Sequence, residues 1–151
     1  MASIVASAWE WHTATKGMVN YNIVKLPAKN IDIENGIIIC LVSPDFPEVI
    51  DLDTQRPDAS HLAYYKAAPM PYIGVIPNRI PEKDYRTVII HELGHSLGLA
   101  HNNGLKGIGT LMYPNMDFES NYITDTDLEN FCKLYKCDAT QLHDEQESPH
   151  T

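Results

Sequence analysis

The chain has 151 residues, 44% of them hydrophobic and 21% charged, which suits a single domain with one buried core. Its net charge of −9 argues against nucleic acid or anionic lipid as a partner, since both need a basic footprint. No apolar run reaches the roughly 18 residues that a membrane-spanning helix requires.

The first residues, MASIVASAWEW, lack the basic region and the unbroken apolar stretch of a secretory leader. That leaves the compartment open, with a secreted or a virion-associated protein both compatible. Residues 3–14 place Ile4, Val5, Ala8, Trp9 and His12 at three- and four-residue spacings, which predicts an amphipathic helix. Gly17 punctuates it. Residues 18–26 alternate as a strand would and stop at Pro27. Residues 35–43, NGIIICLVS, are a near-continuous apolar run that predicts a strand buried on both faces, with Cys40 as a small buried hydrophobe. Residues 44–60 contain three prolines, four aspartates and Glu48, and read as a surface loop.

HLAYYKAA (61–68) and YIGVIPNRI (72–80) are two more short strands. Pro81, Glu82 and Asp84 then mark the start of a helix that runs toward Gly98. Residues 102–109 are a loop containing several glycines. Residues 124–137 predict a further amphipathic helix with Thr124 or Asp125 as its N-cap. Cys132 and Cys137 lie near its end, free or paired. The tail, 138–151, is polar and acidic, the composition of a disordered segment. The order of elements predicts an α+β domain over 1–137.

The segment VIIHELGHSLGLAHN (88–102) carries the chemistry. His91 and His95 are four apart, so on a helix they project from one face a turn apart. Gly98 lets the chain leave the helix through a conformation other residues resist, and His101 can return as a third ligand. Three neutral imidazoles suit one zinc ion and leave a position for water, the pattern of a catalytic rather than a structural site. Glu92 stands where it would meet that water as general base. From average residue usage, the five fixed positions would meet by chance in such a chain roughly once in 100,000. His12, His61, His143 and His150 show no ligand spacing. Glu119 is a rival third ligand, but its surroundings lack helical periodicity.

His-Glu-x-x-His-x-x-Gly-x-x-His, followed by Thr110-Leu111-Met112-Tyr113-Pro114, resembles the metzincin metallopeptidases and, within them, the matrixins. The resemblance covers about residues 61–137. It implies a zincin-like fold: a twisted mixed sheet of about four to five strands packed on the N-terminal and active-site helices, with a closing helix after a Met-turn at Met112. It also implies a buried acid in that closing helix, best matched by Asp127. The implied activity is zinc-dependent endopeptidase action on extended peptides added as a strand beside Ala63, Tyr64 and Tyr65. Thr87, Val88, Tyr113, Pro114 and Asn115 would line the pocket for the side chain beyond the scissile bond, with preference for a large apolar residue. Asn102 departs from the serine or threonine that matrixins usually carry there. Calcium bound by the acidic loop is a further option, against which a solvated loop is preferred. A structural or attachment module that keeps zinc for stability is the alternative function; an intact Glu92 speaks against it.

Overall fold

The computed structural model of the protein describes residues 2–23, 36–41, 50–51, 56–57, 62–67, 71–76, 79–114 and 122–143. Among these, no helix is long and apolar enough to cross a membrane.

Ala2–Ala14 form α1, which packs along α2 (Tyr85–Ser96). Ser7, Ala8, Trp11 and Ala14 are its buried positions, at three- and four-residue intervals. The buried Trp11 indole donates its N–H to the Ile90 carbonyl at 2.9 Å, and Ser7 Oγ donates to the Arg86 carbonyl at 3.1 Å. Glu10 and Arg86 add an ion pair at the rim. Polar side chains thus fix the register of two otherwise apolar helices.

The strand expected from residue 18 is absent over the described residues 18–23. The Val19 N–H donates to Thr15 Oγ1 at 3.0 Å, and the Val19 carbonyl accepts from His12 Nδ1 at 2.9 Å. The backbone groups a strand would give to a neighbour are taken by the end of α1.

Ile38–Leu41 form β1, followed by a short antiparallel pair, β2 (Ile50–Asp51) and β3 (Arg56–Pro57). The expected plain loop over 44–60 is corrected by that pair. Ala63–Lys66 (β4) and Tyr72–Val75 (β5) complete a three-stranded sheet of order β1-β5-β4, with β1 parallel and β4 antiparallel to β5. Among the described residues the sheet therefore has three strands, not four to five. The region 35–43 was expected to be buried on both faces; instead β1 is half-buried and Leu41 is 70% exposed, for among the described residues β1 pairs on one side only. The buried centre is β5, with Ile73, Gly74 and Val75. Cys40 is half-buried rather than buried and has no disulfide partner; partial burial raises its thiol pKa.

Cys40, Gly74 and Tyr64 align across the three strands. The Tyr64 ring lies over Gly74, where an added Cβ would come within 2.7 Å of it, and Tyr64 Oη bonds Tyr72 Oη at 2.9 Å. Tyr64 thus packs with Cys40 and Ile76, whereas Ala63 and Tyr65 pack toward the main core.

Asp125–Tyr135 form α3. Thr124 is its N-cap in a capping box with Asp127, which settles the choice between Thr124 and Asp125. Lys136 takes a left-handed φ of 58° after the helix, and Cys132 and Cys137 form a disulfide. Disorder from residue 138 is corrected over 138–143: Thr140–His143 form a helical turn, α4, whose Leu142 is buried in the core. Trp11, Ile73, Ile90, Leu111, Met112 and Phe131 are the large side chains at the centre of that core. Gly94 lets this core close up, since a Cβ there would lie 2.5 Å from Met112 Sδ and force that side chain to shift.

Candidate metal centre

A 3₁₀ turn, Glu82–Asp84, leads into α2, and the Asp84 N–H donates to the Pro81 carbonyl at 2.8 Å. The helix is buried on nearly every face from Val88 to Gly94. At its end Gly98, with φ +99°, donates to the His95 carbonyl at 2.9 Å while the Leu99 N–H donates to the Gly94 carbonyl at 3.1 Å. This is a Schellman ending, and glycine is required there by the left-handed backbone. It reverses the chain so that His101 returns to the face carrying His91 and His95.

Two backbone carbonyls orient the helical histidines. His91 Nδ1 lies 2.7 Å from the Leu111 carbonyl, and His95 Nδ1 lies 2.9 Å from the Leu99 carbonyl. A carbonyl only accepts, so each Nδ1 carries the proton and each Nε2 keeps its lone pair. His95 Nε2 lies 3.1 Å from His101 Nε2, and one ring nitrogen of each of the three lies within 4.8 Å of the other two. Ligands bound tetrahedrally to zinc at about 2.05 Å are roughly 3.3 Å apart. By donor type, and with His95 and His101 already at such a distance, the three histidines could hold a zinc ion.

Burial lowers the pKa of His91 to about 4, with His95 and His101 adding to the shift and the Leu111 bond opposing it. Burial also lowers His95 and His101. All three stay neutral at ordinary pH, the state a metal needs. Glu92, 6% exposed, has its pKa raised to about 7 by desolvation. A pocket of about 400 Å³ is lined by Glu92, His95 and His101, by Gly98–Ala100, and by Ala63, Tyr64 and Tyr65 of β4.

Beneath the histidines the chain turns at Leu111 and Met112, both buried, and the Tyr113 N–H closes the turn on the Thr110 carbonyl at 3.3 Å. Asp127, fully buried, accepts from the N–H groups of Leu111 (2.8 Å), Met112 (3.2 Å) and Thr124 (3.0 Å) and from Thr124 Oγ1 (2.6 Å). The same carboxylate therefore caps α3 and holds the turn whose carbonyl orients His91. Next to His101, the Asn102 N–H donates to the Met112 carbonyl at 2.7 Å, and its side-chain amide donates to Thr110 Oγ1 at 3.2 Å. Gly107 packs so close that an added Cβ would lie 1.8 Å from the Asn102 carbonyl oxygen.

The structure thus brings together His91, Glu92, His95, His101 and Ala63–Tyr65. Val88 is buried in the core, Thr87 and Tyr113 are half-buried and Pro114 is exposed; none of them lines the pocket. Asn115, Glu119, His61, His150 and the acidic residues Asp45, Glu48, Asp53 and Asp58 lie outside the described residues. His12 serves the end of α1, and His143 lies 3.8 Å from the Asp125 carboxylate. Sequence reasoning missed Leu99 and Leu111, which act through their carbonyls, and Thr110 and Gly107, which tie down Asn102. Backbone carbonyls leave no residue-type signal; the glycine alone was a hint.

The model of one protein family, matrixin, matches residues 7–136. No curated protein and no solved structure gives a significant match.

Proposed function

The chain belongs to the matrixins, a zinc metalloprotease family, and from that premise we propose that it is a zinc-dependent endopeptidase acting on extended peptides. The observation that carries the proposal is the orientation of the histidines: His91 and His95 spend their Nδ1 protons on Leu111 and Leu99 and offer Nε2 lone pairs, His101 completes the set, and Glu92 stands beside it. Purely structural sites use four protein ligands, and three are what catalysis uses. Bound there, zinc supplies Lewis acidity, which acidifies water and polarises a peptide carbonyl.

The chain's own residues do the rest. The Glu92 carboxylate accepts the proton of the attacking water and returns it to the departing amine nitrogen. Its burial keeps its basicity near neutrality, and a neighbouring dication offsets part of that rise. Among the described residues β4 pairs only with β5, and its other edge runs beside the pocket that holds His95 and His101. That edge receives the substrate as an added strand, with Ala63–Tyr65 contributing main chain more than side chain. Met112, packed under Gly94, forms the floor of a Met-turn and binds no metal.

The test is cleavage of casein and of a peptide library by the zinc-loaded protein, with and without chelator, against Glu92→Ala. Chelator-sensitive cleavage lost by about 10²–10⁴-fold in the variant supports the reading. A folded, zinc-loaded wild type that cleaves nothing refutes it and favours a module that keeps zinc for stability.

A further inference from the structure

The last turn of α3 exposes two large apolar side chains, Leu134 at 52% and Tyr135 at 47%. Single exposed leucines are ordinary. These two are held rigidly against the turn that ends α2. Tyr135 Oη donates to the Leu97 carbonyl at 2.6 Å, and its ring stacks on Phe131 with centroids 4.6 Å apart. Leu134 Cδ1 lies 3.4 Å from where a Gly98 Cβ would be. The Cys132–Cys137 disulfide brackets both residues, and the Cys137 N–H donates to the Cys132 carbonyl at 3.1 Å.

Gly98 and Ala100, both exposed, are themselves walls of the pocket beside His95 and His101. Gly98 therefore stands between that pocket, which it helps to line, and Leu134, whose Cδ1 approaches it from α3. An exposed apolar side chain beside the wall of a cleft, on a helix end fixed by a disulfide and a hydrogen bond, costs solubility without adding to the core. It is preorganised for contact.

We propose that Leu134, presented by the locked end of α3, is a distal subsite that receives an apolar side chain of the peptide substrate away from the scissile bond. This rests on the endopeptidase reading and deepens it. The occupant is the substrate itself, since Leu134 adjoins Gly98, a wall of the cleft that would hold the reacting peptide. The contact is remote from Glu92, so it acts on substrate binding and leaves the proton transfers untouched.

The experiment compares wild type with Leu134→Glu, Leu134→Met and, as a surface-charge control on α1, Val5→Glu. Each is checked for zinc content and for folding by circular dichroism. Substrates are peptides in which leucine or aspartate is scanned through every position on both sides of the cleaved bond. Wild type should show, at one position several residues from that bond, about a tenfold preference for leucine in kcat/KM, expressed in KM. Leu134→Glu should abolish that preference while kcat holds; Leu134→Met should retain it and Val5→Glu should not disturb it. If the wild type cleaves but Leu134→Glu keeps the same position profile, the subsite is overturned while the endopeptidase stands. If no peptide is cleaved by zinc-loaded wild type, the endopeptidase reading itself fails, and the subsite with it.

Discussion

Replacing Asp127 by alanine removes the group that joins α3 to the turn under the histidines. Four donors lose their acceptor: the N–H groups of Leu111, Met112 and Thr124, and Thr124 Oγ1. Thr124 is half-buried and can turn to water, but Leu111 and Met112 are 0% and 2% exposed and cannot. Two stranded buried donors cost about 1–3 kcal/mol each, and the weakened cap about 1 more. Relief from burying a carboxylate offsets part of this, for a net loss of about 3–5 kcal/mol. In a domain of this size that lowers Tm by roughly 10–15 °C. The loss reaches the site, because the Leu111 carbonyl in the loosened turn is what orients His91. Zinc affinity, read by competition with a chromophoric chelator, should fall by about tenfold or more. Thr124→Ala, which removes the cap but leaves the carboxylate on the turn, should cost about 1 kcal/mol and spare zinc affinity. An Asp127→Ala protein that melts within about 3 °C of wild type and binds zinc equally well would refute the reasoning.

Gly107→Ala forces a Cβ to within 1.8 Å of the Asn102 carbonyl oxygen, so the segment carrying His101 must move. Zinc affinity should weaken by about 10–100-fold with a smaller effect on stability; unchanged affinity in chelator competition would contradict the packing. In the metal-free protein, Glu92 has a folded pKa of about 7 against an ordinary 4.5, so its neutral form contributes stability that is complete below pH 4.5 and lost as pH rises through about 7. Denaturant melts should therefore show metal-free Glu92→Gln gaining on wild type by up to about 3 kcal/mol between those limits, and a constant difference would show that Glu92 is not desolvated.

Much of the centre was legible because it is local. A four-residue interval on a helix places His91 and His95 on one face whatever surrounds them, and Gly98 announces where the helix must end. The cap at Thr124 is equally local, since its partner Asp127 lies within the first helical turn. Legibility failed where backbone groups had a choice of partners. Residues 18–23 alternate like a strand, yet Thr15 and His12 are nearer and take the bonds of Val19. The run around Cys40 reads as a strand buried on both faces, but its one-sided pairing among the described residues depends on how the other strands line up. The Cys132–Cys137 pair was visible as two cysteines, and only the left-handed turn at Lys136 brings them together.

The sequence by itself thus singled out the three clustered histidines, the glutamate beside them and the family, because helical periodicity translates spacing directly into direction. Tertiary structure decided which carbonyls fix the imidazole tautomers, that one carboxylate both caps α3 and holds the turn beneath the metal site, and that Leu134 lies beside Gly98. Apart from the local bond of His95 to Leu99, these contacts join segments distant in sequence, as His91 to Leu111, 20 residues apart, and Asp127 to Met112, 15 apart. Pairing between such segments is set by the packing of the whole core, on which no local spacing reports.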